Sequence, residues 1–134
     1  MRKYLLDTHT VIWAIAGKSK LPERVLNLLQ DADNQLFVSA VSLWEMAIKH
    51  KKGKLYLENF EIKNIFEYCR RLGIKPIQLL PEEAINYLSF PFAENHKDPF
   101  DRMLIYQCIA NDYVLVSKDM KMAEYQANGL ECVW

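Results

Sequence analysis

Short apolar runs separated by longer amphipathic stretches recur along the whole chain. The runs at 4–6, 36–38 and 113–116 are continuously apolar and are bounded by polar residues. This pattern is typical of strands that are buried on both faces of a parallel sheet. Two further strands are predicted at 74–79 and 130–134.

Apolar residues at helical spacing fill most of the sequence between these runs. In the predicted helix that follows Ser39, Trp44 lies on the inward apolar stripe and Glu45 falls on the same face. In another, predicted over 60–72, Phe66 belongs to the buried face. The helices are predicted over 8–16, 22–32, 40–50, 60–72, 81–88, 99–110 and 120–125.

The alternation of strands and helices predicts an α/β fold. We expect a parallel, doubly wound sheet with helices on both faces, formed as a single domain by residues 1–134. Sheets of this kind bind ligands beyond the carboxyl ends of their strands. The residues that follow the predicted strands are therefore the first candidates for a functional site.

Composition narrows the class of protein. Hydrophobic residues make up 51% and charged residues 25%, which excludes a disordered chain. The 17 basic and 17 acidic side chains balance, so nucleic-acid binding would depend on local charge. Three separated cysteines show neither a disulfide framework nor zinc-ligand spacing. No apolar stretch is long enough to span a bilayer, and we expect a cytoplasmic protein that does not bind membranes.

The segment at 96–105 places a carboxylate where an apolar residue would be expected. Pro99 suits the first position of a helix, with Asp98 as the N-cap. Asp101 then falls on the apolar stripe of that helix, and a carboxylate on a buried face needs a partner. A cation is the simplest partner to propose.

Three other acids are predicted to approach the same edge of the sheet. Asp7 and Asp119 lie just beyond predicted strand ends, and Glu45 and Asp101 lie on inward helix faces. Carboxylates crowd together at neutral pH only with raised pKa values or a compensating cation. Oxygen ligands favour Mg²⁺ or Mn²⁺, and such ions support phosphodiester hydrolysis.

Simpler interpretations of the same residues remain open. Asp7, Asp98 and Asp119 can each merely cap a helix, and Glu45 can pair with a lysine or an arginine of the core. The hydroxyls of Thr8 and Ser117, beside the acids, can orient a carboxylate or a water molecule, and these residues are auxiliary candidates.

The basic and aromatic residues are less specific. Lys49 opens a lysine-rich run that can contact substrate phosphate or be ordinary surface. Arg102 can bind substrate phosphate or pair with Asp98. No histidine, His96 included, has ligand spacing, and tryptophans such as Trp13 are expected to fill the core or an interface in preference to stacking on bases.

Four motifs in this order resemble the PIN-domain ribonucleases, and specifically the VapC toxins of toxin–antitoxin pairs. Leu-Leu-Asp-Thr-His at 5–9 is similar to the opening strand and first acid of the family, and Ser-Ala-Val-Ser-Leu-Trp-Glu at 39–45 to its second-acid helix. His-Lys-Asp-Pro-Phe-Asp-Arg at 96–102 resembles the signature of one subgroup. Leu-Val-Ser-Lys-Asp at 115–119 is similar to the last strand and fourth acid.

The resemblance implies a Mg²⁺- or Mn²⁺-dependent endoribonuclease that cuts RNA, is inhibited by a VapB-type antitoxin and forms a homodimer. It places metal binding and catalysis on Asp7, Glu45, Asp101 and Asp119; for the third acid, Asp101 is favoured over Asp98 because it continues the apolar stripe. Two other functions stay open. One is a DNA nuclease, for which 134 residues leave little room for DNA-clamping helices. The other is a catalytically idle PIN-like module that only binds a partner.

Overall fold

A five-stranded sheet, in which all strands are parallel, lies at the centre of the protein. The computed structural model describes residues 2–55 and 57–134. The strands follow the order β3-β2-β1-β4-β5, which places the first strand of the chain in the middle. Their bounds are β1 (Lys3–Leu6), β2 (Gln35–Ser39), β3 (Ile74–Ile77), β4 (Val114–Val116) and β5 (Glu131–Val133).

Both faces of this sheet are covered. Successive strand residues point to opposite faces, so Leu5 and Leu115 join one hydrophobic cluster while Leu6 and Val116 join the other. All four side chains are fully buried, which explains why the runs are continuously apolar instead of alternating. The predicted doubly wound α/β fold is confirmed.

In the described ranges 2–55 and 57–134, six α-helices connect and cover the strands. Their termini largely follow the sequence signals: Ser39 accepts a hydrogen bond from the N–H of Val41, and Gly73 ends a helix in the left-handed conformation, at φ 71°. The helices are α1 (Thr8–Ala16), α2 (Glu23–Gln30), α3 (Ala40–Lys51), α4 (Ile65–Leu72), α5 (Pro81–Asn86) and α6 (Pro99–Asn111). Shorter 3-10 helices occupy Lys18–Lys20, Ile62–Asn64, Tyr87–Ser89 and Met120–Asn128.

Two predictions about helix faces are wrong. The helix predicted over 60–72 is α4 alone, preceded by the 3-10 turn, and Phe66 is 63% exposed, whereas Ile65 and Cys69 in the same helix are buried. Trp44 is 62% exposed, since α3 turns Val41, Glu45 and Met46 inward instead. Helical spacing defines a face, and only packing selects which part of a broad apolar face is covered.

None of the helices in the described part of the chain is long and apolar enough to cross a membrane. Cys69, Cys108 and Cys132 are all free thiols, as the absence of a disulfide pattern predicted. Cys69 and Cys108 are buried among apolar side chains, where they pack as small hydrophobic residues.

Candidate metal and catalytic centre

The candidate site lies where the two central strands end. Asp7 follows β1 directly, and Ser117 follows β4 directly. Because Leu6 pairs with Val116 in parallel register, Asp7 and Ser117 emerge side by side at the carboxyl edge of the sheet. The N–H of Asp7 also donates to the carbonyl of Val116, at 3.1 Å.

Asp7 is a buried helix cap. Its Oδ1 accepts hydrogen bonds from the backbone N–H of Thr10, at 2.8 Å, and from the Thr10 hydroxyl, at 2.6 Å. Burial raises the pKa of Asp7, and the neighbouring hydroxyls of Ser117 and Thr10 oppose that rise. The cap interpretation therefore holds for Asp7, and burial disfavours the charged form of its carboxyl group.

Glu45 reaches the same region from α3. Its side chain is buried and accepts a hydrogen bond from the hydroxyl of Thr8, at 2.5 Å. Its other oxygen lies 2.8 Å from Nζ of Lys49, one helical turn further along. The predicted alternative, in which Glu45 pairs with a basic residue, is thus also correct, although Lys49 is partly exposed and does not come from the core.

Asp101 is a second acid whose surroundings disfavour ionisation. Burial, together with the negative charges of Asp98 and Glu45, raises the pKa of Asp101 to about 6, while His96 opposes the rise. Nε2 of His96 lies 3.4 Å from Oδ2 of Asp101. The carboxyl group is therefore crowded by other acids and has little compensation from hydrogen-bond donors.

Asp119 completes the group. One ligand atom each from His96, Asp101 and Asp119 lies within 4.8 Å of the other two. Asp119 also caps the 3-10 helix that follows, because its Oδ1 accepts from the N–H of Lys121 at 2.9 Å. Its own N–H donates to the Ser117 hydroxyl, at 3.1 Å.

These contacts connect the four predicted acids. Asp7 lies beside Ser117, Ser117 bonds Asp119, and Asp119 approaches Asp101. Asp101 is influenced by Glu45, which is bonded to Thr8, the residue after Asp7. The prediction that the acids come from four separate segments to one edge of the sheet agrees with this arrangement, although only Asp101 and Asp119 share the compact group around His96.

Comparison with known proteins identifies the fold. The PIN domain family matches residues 4–128. The chain belongs to the PIN-domain family. Ribonuclease VapC22 of Mycobacterium tuberculosis is 27% identical over 137 residues, and the match covers 100% of both chains.

Two solved structures share the fold of this PIN domain. VapBC2 from Rickettsia felis, bound to a DNA fragment from their promoter, matches with a TM-score of 0.61 at 15% identity, covering 98% of this chain and 97% of the other. VapBC-1 from nontypeable Haemophilus influenzae matches with a TM-score of 0.60 at 19% identity, covering 98% and 96%.

The donor set of the PIN domain fits a divalent cation. Asp7, Glu45, Asp101 and Asp119 supply carboxylate oxygens, the ligands that Mg²⁺ and Mn²⁺ prefer. Nδ1 of His96 is buried without a hydrogen-bond partner in the described part of the chain, although the ring is only 3% exposed. The carboxyl group of Asp101, which lies near the charges of Asp98 and Glu45 and has His96 as its one hydrogen-bond partner among the described residues, is the group that a bound cation would stabilise.

Asp98 differs from Asp101 in what its carboxylate does. Its Oδ1 accepts from the N–H groups of Phe100, at 2.8 Å, and Asp101, at 3.2 Å, and the residue is exposed. The cap predicted for Asp98 is confirmed. Because Asp101 lies in the compact group with His96 and Asp98 does not, the geometry favours Asp101 as the third acid.

Arg102 is engaged elsewhere in the protein. Its guanidinium donates to the backbone carbonyl of His96 and to that of Ala93, at 3.3 Å, and lies 5.1 Å from the centre of the Phe92 ring. It makes no ion pair with Asp98 among the described residues. Arg102 thus holds the loop before α6, and its contact with substrate phosphate stays a prediction.

His96 is the residue that sequence analysis missed. Its ring packs against Tyr125, with centroids 5.7 Å apart, and points Nε2 at Asp101. His96 lies in the loop before α6, so its spacing from Asp101 does not follow the helical repeat. A turn in that loop places the histidine beside the acids. Its place at the start of the His-Lys-Asp-Pro-Phe-Asp-Arg motif was the signal in the sequence that pointed to it.

Proposed function

We propose that this PIN domain is a metal-dependent endoribonuclease acting as the toxin of a type II toxin–antitoxin pair. The crowding of Asp101 by Asp98, Glu45 and Asp119 is the observation that carries the proposal. Acids that crowd together with few hydrogen-bond donors destabilise a folded protein. Such clusters are therefore concentrated at functional sites. The similarity to Ribonuclease VapC22 along the full chain supports RNA as the substrate.

In the proposed site, Asp7, Glu45, Asp101 and Asp119 bind Mg²⁺ or Mn²⁺ and are the catalytic residues. Such an ion supplies a nucleophilic hydroxide and neutralises charge that develops at the phosphorus. Asp101, whose pKa is about 6, is ionised at neutral pH and therefore available as a ligand.

The neighbouring residues keep these carboxylates in place. Thr8 donates to Glu45 and so fixes one of its oxygens. Ser117 lies between Asp7 and Asp119, and Asp98 caps the helix that presents Asp101. Lys49, paired with Glu45, is available to meet a phosphate when the glutamate binds a cation instead.

The proposal includes partners. The structural neighbours are VapBC proteins, which supports a VapB-type antitoxin as the inhibitor of this chain. We also propose that the protein, whose PIN domain we take to extend over residues 1–134, forms a homodimer and acts in the cytoplasm, where its RNA substrate occurs.

The proposal is tested by RNA cleavage with purified, antitoxin-free protein. The reaction is run with Mg²⁺, with Mn²⁺ and with a chelator, for the wild type and for Asp7→Asn and Asp101→Asn. We expect metal-dependent cleavage that each substitution reduces by about a hundredfold or more. Glu23→Gln, which neutralises an exposed acid in the first turn of α2, is the matched control and should cleave like the wild type.

Two results would overturn the proposal. Cleavage that persists in chelator, or that is equal in wild type and both variants, would indicate a contaminating nuclease. Absence of cleavage with intact antitoxin binding would indicate instead a PIN-like module that only binds its partner.

A further inference from the structure

A groove opens beside the acids on the surface of α1. It encloses about 290 Å³ between that helix, the end of α3 and the segment that follows α3. Trp13, His9, Lys49 and Lys54 line it together with the apolar side chain of Leu57. The groove is therefore lined by both apolar and lysine side chains.

Two lysines and a histidine lie near the ring of Trp13. Nζ of Lys20 lies 5.7 Å and Nζ of Lys118 5.8 Å from the Trp13 ring, and the His9 ring centre is 5.6 Å away. Both lysines and His9 are exposed, whereas Trp13 is half-buried and held in place by packing against Trp134. A chain with no net charge thus places two lysine ammonium groups near one tryptophan ring.

This surface is continuous with the candidate metal site. Two residues that line the groove lie beside the acids: His9 follows Asp7 by two residues, and Lys49 is paired with Glu45. Lys118, whose Nζ lies near the Trp13 ring, directly precedes Asp119. A polynucleotide whose phosphate lies at the acids would place a neighbouring nucleotide at Trp13.

We propose that Trp13 is a stacking platform for one unpaired base of the RNA, with Lys20 and Lys118 contacting the flanking phosphates. This inference rests on the proposed function and adds that the substrate is single-stranded at this position. A base in a duplex has both faces covered by its neighbours and cannot stack on Trp13. An exposed lysine gains less from an aromatic face than a stacked base does, so a base can displace the lysines toward the phosphates.

Trp44 offers a matched comparison within the same protein. It directly precedes Glu45, is 62% exposed and packs edge-on against Phe100, with ring centres 5.3 Å apart. No lysine or arginine of the described chain lies over its ring. We therefore expect Trp44 to leave RNA binding unchanged.

The experiment measures binding without cleavage. All proteins carry Asp101→Asn, and the probe is a fluorescently labelled single-stranded RNA octamer, compared with the same sequence as a duplex. Affinity is determined by anisotropy over a range of salt concentrations. Trp13→Ala should weaken single-strand binding by about tenfold, while Trp13→Phe keeps most of the affinity.

Substitutions of the two lysines test the same inference without changing the packing of the protein, because both side chains are exposed. Lys20→Gln and Lys118→Gln change exposed side chains and should each reduce the slope of log affinity against log salt by about 0.7. Thermal unfolding of Trp13→Ala confirms that the protein is folded under the assay conditions.

Several outcomes would overturn the inference. These are equal binding by the Trp13→Ala and Trp44→Ala variants, equal affinity for single strand and duplex, or loss of antitoxin binding alone in Trp13→Ala. Failure of the proposed function is distinguishable, since it would abolish metal-dependent cleavage by the wild type and leave the binding comparison intact.

Discussion

Helix α6 contacts two groups of buried polar side chains, and they differ in how their charge is compensated. Near the middle of the helix, Gln107 accepts from the Ser39 hydroxyl, at 2.6 Å, and donates to Glu83, at 3.2 Å. Glu83 also accepts from the N–H of Leu80, at 2.9 Å, and from Asn111, at 3.0 Å. One carboxylate there receives three hydrogen bonds.

At the first turn of the same helix Asp101 lies in a different environment. Among the described residues its side chain has a single hydrogen-bond partner, His96, and its pKa is raised to about 6. A buried acid is therefore not by itself a sign of function. What distinguishes Asp101 is a shortage of hydrogen-bond partners next to other carboxylates.

The largest expected effect comes from removing Gln107 from its hydrogen bonds with Ser39 and Glu83. In Gln107→Leu, the Ser39 hydroxyl and Glu83 each lose a buried partner, so we expect the free energy of unfolding to fall by about 2–3 kcal/mol. Urea denaturation of the metal-free protein measures this change. Metal affinity, followed by calorimetric titration with Mn²⁺, should be unaffected, and a parallel loss of metal binding would contradict the separation of the two groups.

A smaller effect is expected when the hydrogen-bond donor of Thr8 is removed from the candidate metal site. Thr8→Val deletes the hydroxyl that bonds Glu45 and preserves the side-chain shape, so Mn²⁺ affinity should fall about tenfold. The free energy of unfolding should fall by about 1 kcal/mol, less than in Gln107→Leu, because Lys49 still pairs with Glu45. Thr8→Ser retains the hydroxyl and is the control. If both variants bind Mn²⁺ equally, this hydrogen bond does not orient Glu45 for a metal.

The smallest effect concerns the dependence of stability on pH. The pKa of Asp101 is about 6 in the folded protein, against an ordinary value of 3.8, so the folded state retains this proton more strongly than the unfolded chain does. The stabilisation that comes from protonating Asp101 in the folded state is fully present below pH 3.8. It is lost as the pH rises through about 6. Relative to Asp101→Asn, the metal-free wild type should lose about 1–2 kcal/mol over that interval.

Urea denaturation in chelator at several pH values measures this difference. A gap between wild type and Asp101→Asn that stays constant with pH would show that Asp101 ionises normally in the folded protein. The Glu23→Gln variant, altered at an exposed acid, should remain parallel to the wild type throughout.

Local sequence was sufficient for the features that depend on near neighbours. The strands, the N-caps at Ser39 and Asp98 and the end of α4 at Gly73 follow from residues within one turn of each feature. The approach of Asp7 and Asp119 to one edge was also predictable, since parallel strands end on the same side of a sheet.

Tertiary packing decided the remainder. It exposed Trp44 and Phe66, directed Arg102 into the loop before α6, brought His96 to Asp101 and placed two lysines over Trp13. Each of these depends on residues far apart in sequence or on a loop without periodicity. By itself the sequence determined which elements form and which acids end at the strand edge, because hydrogen bonding and side-chain spacing within an element are local. Burial and charge compensation are properties of the assembled neighbourhood, and only the fold creates that neighbourhood.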